Sequence, residues 1–347
     1  MKKFKTIEEA LNFLYNKQPL SYSDFVILPE NKGNASLFAA YVKSQYDRFI
    51  DIVKAIDEST LSNAIKEFEE FQGNPSKRRF INLLKKISND FFRILKECYS
   101  PNSAKALSDL EKLLGMNNRN LMQYLVEPLI NYCSFDYPQN SILYRVRDAK
   151  IGEEIDNCWH TPFQIREKSY AGRFSSPGFP CLYLADSSET CCKEIKLNKG
   201  YARWLGEFRL KKKQTLICLD LTIPSESKIK TANYYEQIQL FLTFPLRILC
   251  TTYAEHKSDT FGEEYIFSQA LINLLSFPLK DNSGLCRVSG IMYNSTKHKG
   301  GINIALPARS ISIPPNPEER YSKYLQDMFS HAKPSKFDVN DGNSKTD

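Results

Sequence analysis

The chain has 347 residues, 42% hydrophobic and 25% charged, with a formal net charge of +7. That length allows two domains and a sizeable core, and no apolar run approaches the ~20 residues of a membrane span. The positive balance favours an anionic partner, but the densest basic runs, "SKRR" at 76–79 and "LKKKQ" at 210–214, read as solvated helix starts or turns, so neither a membrane nor direct nucleic-acid binding is expected.

The opening "MKKFKTIEEALNFLYNKQ" lacks a long apolar region and a small-residue cleavage site, and reads as an N-terminal helix rather than a signal peptide. From Phe38 the apolar residues Tyr41, Val42, Tyr46, Phe49, Val53 and Ile56 keep helical spacing. A second stripe has Phe80, Leu83, Leu84, Ile87, Phe91, Ile94 and Leu95, with Asn74 as its expected N-cap and Pro75 at its first position. A third has Leu107, Leu110, Leu113 and Leu114, stopped by Gly115. These wide stripes predict a helical bundle over 1–135. Its plainest reading is a scaffold or docking domain; regulation, recognition of a trigger and a homo-oligomer interface stay open for it.

Near 136 the texture changes. "SILYRVRDAK" alternates like a strand after the turn-rich "FDYPQN". Short strand-like runs follow ("CLYLA", "GEFRL", "TLICLDL", "SGIMYNS", "INIALP"), with helical patterns at 187–197 and 263–276. The mixture predicts an α+β or α/β domain over 136–308. The extension at 309–347 holds one short helix candidate at 317–330, and "KPSKFDVNDGNSKTD" has so little to bury that it is expected to be disordered.

Nine cysteines without a C-x-x-C pair argue against a disulfide framework and for a reducing, cytoplasmic setting. Cys191 and Cys192 read as buried thiols, and with His160 near the single Cys158 no metal site is expected. There is no P-loop, no G-x-G-x-x-G after a strand, no H-E-x-x-H and no G-x-S-x-G elbow. The first histidine is His160, which rules out an Arg–His ribonuclease site in the helical half.

What remains is "AGRFSSPGFPCLYLADSSETCCKEIK", 171–196. Gly172 and Gly178 flank a loop that carries Arg173 and can bring backbone N–H groups close to a ligand. "PCLYLA" is apolar on both faces and reads as a central strand. Asp186 is placed to cap the next helix, with Glu189 at the capping-box position, and Glu194 lies on a mixed face beside an apolar stripe begun by Cys191 and Ile195. On composition alone Glu194 is a solvated helix residue and Arg173 a surface ion-pair partner.

Four blocks in order, "LYRVR" at 143–147, "GRFSSPGFPCLYLADSSETCCKEI", "YIFSQAL" and "GIMYNSTKHKGGINIALP", resemble the RES domain, the family named for its arginine, glutamate and serine. The resemblance covers about residues 140–308. It implies an α+β chain in which an N-terminal helical bundle precedes an ADP-ribosyltransferase-like mixed α/β RES domain. It also implies a toxin of a toxin–antitoxin pair that breaks the nicotinamide–ribose bond of NAD by hydrolysis or phosphorolysis. NAD is then the substrate, inorganic phosphate a co-substrate of the second route, no cofactor is needed, and a helix-turn-helix antitoxin is the implied partner. The family arginine, glutamate and serine fall on Arg145, Glu194 and Ser295, with Tyr144, Arg173, Tyr183 and Asn303 at other pocket positions. Arg147 rivals Arg145, since both share a strand face. Where the family has "GRWN" or "GRFN" this chain has "GRFS", so Ser175 replaces an asparagine. An ADP-ribosyltransferase acting on a macromolecule, and an inactive binding module, are the alternative readings.

Overall fold

The structure is a computed structural model that describes residues 3–16, 37–68, 75–100, 103–114, 134–137, 142–195, 199–212, 214–253, 262–276, 288–309 and 318–337. In chain order the helices α1 (Ile7–Tyr15), α2 (Leu37–Lys54), α3 (Glu58–Ile65), α4 (Lys77–Cys98) and α5 (Ser103–Leu113) precede strands β1 (Ser134–Tyr137) and β2 (Ile142–Lys150). Next come β3 (Cys181–Ala185), α6 (Ser188–Glu194), β4 (Tyr201–Leu210), β5 (Leu216–Asp220), α7 (Glu226–Thr231), α8 (Tyr234–Thr251) and α9 (Ile266–Ser276). Strands β6 (Gly290–Asn294) and β7 (Ile302–Pro307), helix α10 (Lys323–Met328) and strands β8 (Phe329–His331) and β9 (Ser335–Phe337) complete the order. The chain is thus α+β, helical first and then built on a sheet. No helix among the described residues is long and apolar enough to cross a membrane.

Two compact units result, and they differ from a contiguous division near 135: the first takes 1–134, 171–174 and 219–287, the second 135–170, 175–218 and 288–347. In the first unit the predicted stripes are the packed faces. Phe38, Tyr41, Val42, Tyr46, Phe49 and Val53 of α2 are buried, as are Phe80, Leu84, Ile87, Phe91, Ile94 and Leu95 of α4. Helix α4 starts at Lys77, two residues after the expected Pro75, with Ser76 at the N-cap position but making no side-chain capping bond; Asn74 and Gly115 lie outside the described residues. Helix α8 joins this unit. Asn233 and Glu236 close a reciprocal capping box at its start, and it continues through Pro245. The Pro245 carbonyl accepts a hydrogen bond from the Tyr46 hydroxyl at 2.9 Å.

The second unit is a sheet in the order β1-β5-β6-β7-β3-β2-β4-β8, with β9 also on β4. The pairings β2–β3, β2–β4, β3–β7 and β6–β7 are antiparallel. Side-chain alternation divides two faces. Leu143, Leu182, Leu184, Phe208, Met292, Ile304 and Leu306 form a core on one face, covered by Trp159, Leu325 and Phe329. On the other, Val146 and Ala185 meet Cys191 and Cys192 of α6. The tail corrects the expected disorder: Ser335–Phe337 pairs with Arg203–Leu205, because its backbone completes an edge of β4. Residues 338–347 lie outside the described residues.

Gly290 starts β6 because nothing larger fits. A Cβ there would lie 2.3 Å from the Ala305 carbonyl oxygen of the neighbouring strand. Backbone cannot swing aside as a side chain can, so Gly290→Ala is expected to destabilise the protein by about 2 kcal/mol or more, read as a lower midpoint in urea unfolding.

Candidate functional site

Strand β3 delivers the chain to the site. Ala185 pairs with Asn303 of β7, and Asp186 N–H still donates to the Ile302 carbonyl at 3.0 Å. Asp186 therefore remains on the sheet ladder, and the helix cap falls one residue later than expected. Ser187 Oγ accepts from Thr190 N–H at 3.1 Å, while Asp186 Oδ1 accepts from the Thr190 hydroxyl at 2.9 Å. Helix α6 ends at Glu194, short of the predicted 197, and Ile195 is already extended. Seven residues are too few for an independent helix; the buried residues Thr190, Cys191 and Cys192 hold it on the sheet. The Cys191 thiol donates to the Tyr144 carbonyl at 3.0 Å, and burial pushes its pKa up to about 12. It is a packing thiol, not a nucleophile.

Glu194 is exposed as a residue, yet its carboxylate is fixed. Oε1 accepts from Ser295 Oγ and from Asn303 Nδ2, each at 2.6 Å. Both donors are buried, Ser295 5% and Asn303 6% exposed. Charge-assisted bonds of this length are among the strong ones. They oppose the unfavourable position of a carboxylate at a helix C-terminus. Oε2 carries no hydrogen bond among the described residues.

Ser295 is set by a turn. Its Oγ accepts from the N–H groups of Lys297 (3.1 Å) and His298 (2.8 Å), which leaves the hydroxyl proton for Glu194. The same turn is pinned to α6, because His298 Nδ1 lies 2.9 Å from Thr190 Oγ1. A Cβ on Gly301 would stand 2.6 Å from that oxygen, so glycine is what permits the approach. His298, read from the sequence as an exposed loop residue, is half-buried.

A cavity of about 210 Å³ opens beside Glu194. Arg145, Tyr183, Tyr293 and Asn303 line it, with apolar walls from Val146 and Ile195. Strands β2 and β3 pair at Tyr144 and Ala185, and Arg145 is the next residue along β2. On β4 it pairs with Gly206, where a Cβ would stand 2.6 Å from Cys158 Cβ and 2.9 Å from the His331 ring, so glycine admits those two side chains. Arg145 Nη1 is sealed from solvent and has no hydrogen-bond partner among the described residues. Burial, with the nearby positive charge of Arg147, pushes its pKa down to about 10. A guanidinium donor left unpaired inside the protein is costly, and the sealed Nη1 is closed to a ligand in the cavity as it is to water. Arg147 stands opposite Trp204 and is not among the lining residues.

Two predicted pocket positions are not among the cavity's lining residues. Tyr144 packs against the cluster of Val146, Ala185, Cys191 and Cys192. Arg173 belongs to the first unit, 8% exposed, where its Nη1 donates to the carbonyls of Cys250 (2.9 Å) and Thr252 (2.8 Å) and its guanidinium lies 5.2 Å from the Tyr265 ring centre. Ser175, the departure from the family loop, accepts from the Tyr183 hydroxyl at 3.1 Å and donates to the Tyr170 carbonyl at 3.3 Å. Tyr293 was missed from sequence. Its signal was its place two residues before Ser295, on the strand face that opposes Asn303. Among the described residues no cluster of three or more His, Cys, Asp or Glu side chains is placed to hold a metal ion.

Comparison with known families matches residues 142–322 to the RES domain. Among curated proteins the chain is similar to one named "Putative toxin YopC" from Bacillus subtilis (strain 168), 29% identical over 194 residues, 52% of this chain and 43% of that protein. The chain thus spans less than half the length of that relative. No solved structure matches.

Proposed function

The chain belongs to the RES domain family, and on that premise we propose that it is a toxin-type enzyme that destroys NAD by breaking the nicotinamide–ribose bond. One observation carries the reading: a carboxylate fixed through Oε1 by Ser295 and Asn303 stands at the edge of a cavity that Arg145 also lines. The cavity has room for one end of a dinucleotide, and Arg145 would hold a phosphate or ribose oxygen there.

The bond from ribose C1′ to the pyridinium nitrogen breaks with both electrons going to nitrogen, so nicotinamide leaves neutral. Positive charge moves to C1′ and the ring oxygen, an oxocarbenium-like state. Glu194 stabilises that charge and takes a hydrogen bond from a ribose hydroxyl on its unused Oε2, while Tyr183 and Tyr293 offer faces for nicotinamide. An oxygen of water or phosphate then bonds to C1′; with water, one proton passes to solvent. The net charge of +7 suits a substrate whose pyrophosphate carries two negative charges. In this reading the enzyme works in the cytoplasm, where NAD is, and is held in check by a cognate antitoxin.

Folded chain, free of inhibitor, incubated with NAD is expected to release nicotinamide together with ADP-ribose or, when phosphate is added, its 1″-phosphate, identified by chromatography and mass spectrometry. NAD left intact with and without phosphate would overturn the proposal, and label carried from NAD onto a macromolecule would replace it with transfer to that acceptor. Asn303→Ala removes one of the two bonds that seat Glu194. A hydrogen bond to a charged group is worth about 1.5–3 kcal/mol, so kcat is expected to fall about 10-fold or more with a smaller change in KM.

A further inference from the structure

Helix α8 is buried from Gln237 to Thr251, and most of that surface is apolar. Gln239, Thr243 and Arg247 break the pattern. Their four-residue spacing puts them on one stripe, and they are only 3%, 2% and 3% exposed. The stripe lines a cavity of about 170 Å³ within the first unit, whose opposite wall is Lys228, Thr231 and Ala232.

The polar groups of this cavity divide into those already used and one that is not. Arg247 Nε donates to Thr243 Oγ1 at 3.3 Å, and its Nη1 donates to the Thr222 carbonyl, so the guanidinium is oriented. Lys228 stands at the rim, half exposed, 3.6 Å from Asp220. Glu236 also lines the cavity, but its carboxylate accepts the Asn233 N–H at 2.7 Å in the capping box. Gln239 makes no hydrogen bond among the described residues, and its Oε1 is sealed from solvent. An amide left unpaired in such a place is costly.

We propose that this cavity is a binding site for a small organic anion that also carries a carbonyl acceptor. The anionic group lies toward Arg247 and Lys228. The carbonyl accepts from Gln239 Nε2, the amide atom that is not sealed. A cavity of roughly 150 Å³ admits a ring of benzene size, so the ligand has on the order of six to ten non-hydrogen atoms. The site uses none of the residues assigned to NAD, and it stands or falls independently of that assignment.

Oxamate, a carboxylate joined to a primary amide, is the probe, with acetate and acetamide as its halves. Titrated into the full chain without NAD and followed by calorimetry, oxamate is expected to bind saturably, at least about tenfold more tightly than either half. Gln239→Leu, which keeps shape and removes the donor, is expected to weaken binding about tenfold or more, and Lys228→Met at the exposed rim to weaken it less. No saturable binding of oxamate up to about 10 mM, or binding that both variants leave unchanged, would overturn the proposal. So would a Gln239→Leu protein that melts higher while the unmodified chain ignores oxamate, since the cavity would then hold only water. Should Gln239→Leu fail to fold, Lys228→Met and the two half-molecules still decide the matter.

Discussion

Glu194→Gln is expected to lower kcat for NAD cleavage about 10³-fold while leaving the circular dichroism spectrum unchanged and lowering the melting temperature by no more than a few degrees. The substitution keeps the side-chain volume and an oxygen able to accept from Ser295 and Asn303, so both donors stay in place. What it removes is the negative charge. An amide dipole stabilises a developing sugar cation far less than a carboxylate, and preorganised electrostatic groups of this kind are worth about 10²–10³ in kcat when deleted singly. The residue is exposed and makes no ion pair among the described residues, so the loss of stability is limited to the weakening of the Ser295 and Asn303 bonds from charge-assisted to neutral, about 1 kcal/mol each. KM is expected to move less than kcat, because the charge acts on the transition state. A Glu194→Gln protein that keeps more than about a tenth of normal kcat would separate this carboxylate from the chemistry, given the single-group losses cited.

Arg145→Met is expected to act in opposite directions on activity and on stability. Its guanidinium is sunk beside the cavity with Nη1 unpaired, and burial together with Arg147 pushes its pKa down to about 10. A folded-state value below the unfolded one means that the buried cation disfavours the fold at every pH below about 10. The cost is relieved only as pH rises past that value toward the unfolded one. Methionine fills similar volume without charge, and replacing buried charges by apolar groups is often neutral or stabilising by about 1–4 kcal/mol. The melting temperature at pH 7–8 is therefore expected to rise by about 2–4 °C per kcal/mol gained. NAD cleavage is expected to fall at least about 10²-fold in kcat/KM, since the anchor for substrate oxygen is gone. A variant that melts lower and still cleaves NAD would make Arg145 a structural residue.

Much of the fold was legible because its stripes were unambiguous. Phe80, Ile87, Phe91 and Ile94 repeat at helical spacing and face the interior, and the alternation of Leu143 with Tyr144 and of Leu182 with Tyr183 matches the division of the sheet into two faces. Helix α8 was not legible. It is buried around its circumference, polar side chains included, and contains Pro245, so neither a one-sided stripe nor an unbroken helical pattern announced it. With that helix hidden, the return of 219–287 to the first unit was hidden too. The edge pairing of Ser335–Phe337 was also out of reach, because backbone hydrogen bonds between strands leave no mark in composition.

The candidate site was legible only through ordered blocks. Local rules read Glu194 as a solvated helix residue, and the structure does leave it exposed. The bonds that distinguish it come from Ser295 and Asn303, which no periodicity links to it. Arg173 stood in a glycine-flanked loop that invited a ligand, whereas its Nη1 serves the carbonyls that end α8, groups that also need donors.

The partners of Glu194 Oε1 lie 101 and 109 residues downstream. During synthesis at about 5–20 residues per second, the glutamate leaves the ribosome on the order of 5–20 seconds before the side chains that seat it. Throughout that interval the nascent polypeptide carries a carboxylate with no fixed direction. If the proposed activity holds, competence arrives late, with the closing of β7 onto β3, and a protein that captured the growing chain before then would meet it inactive.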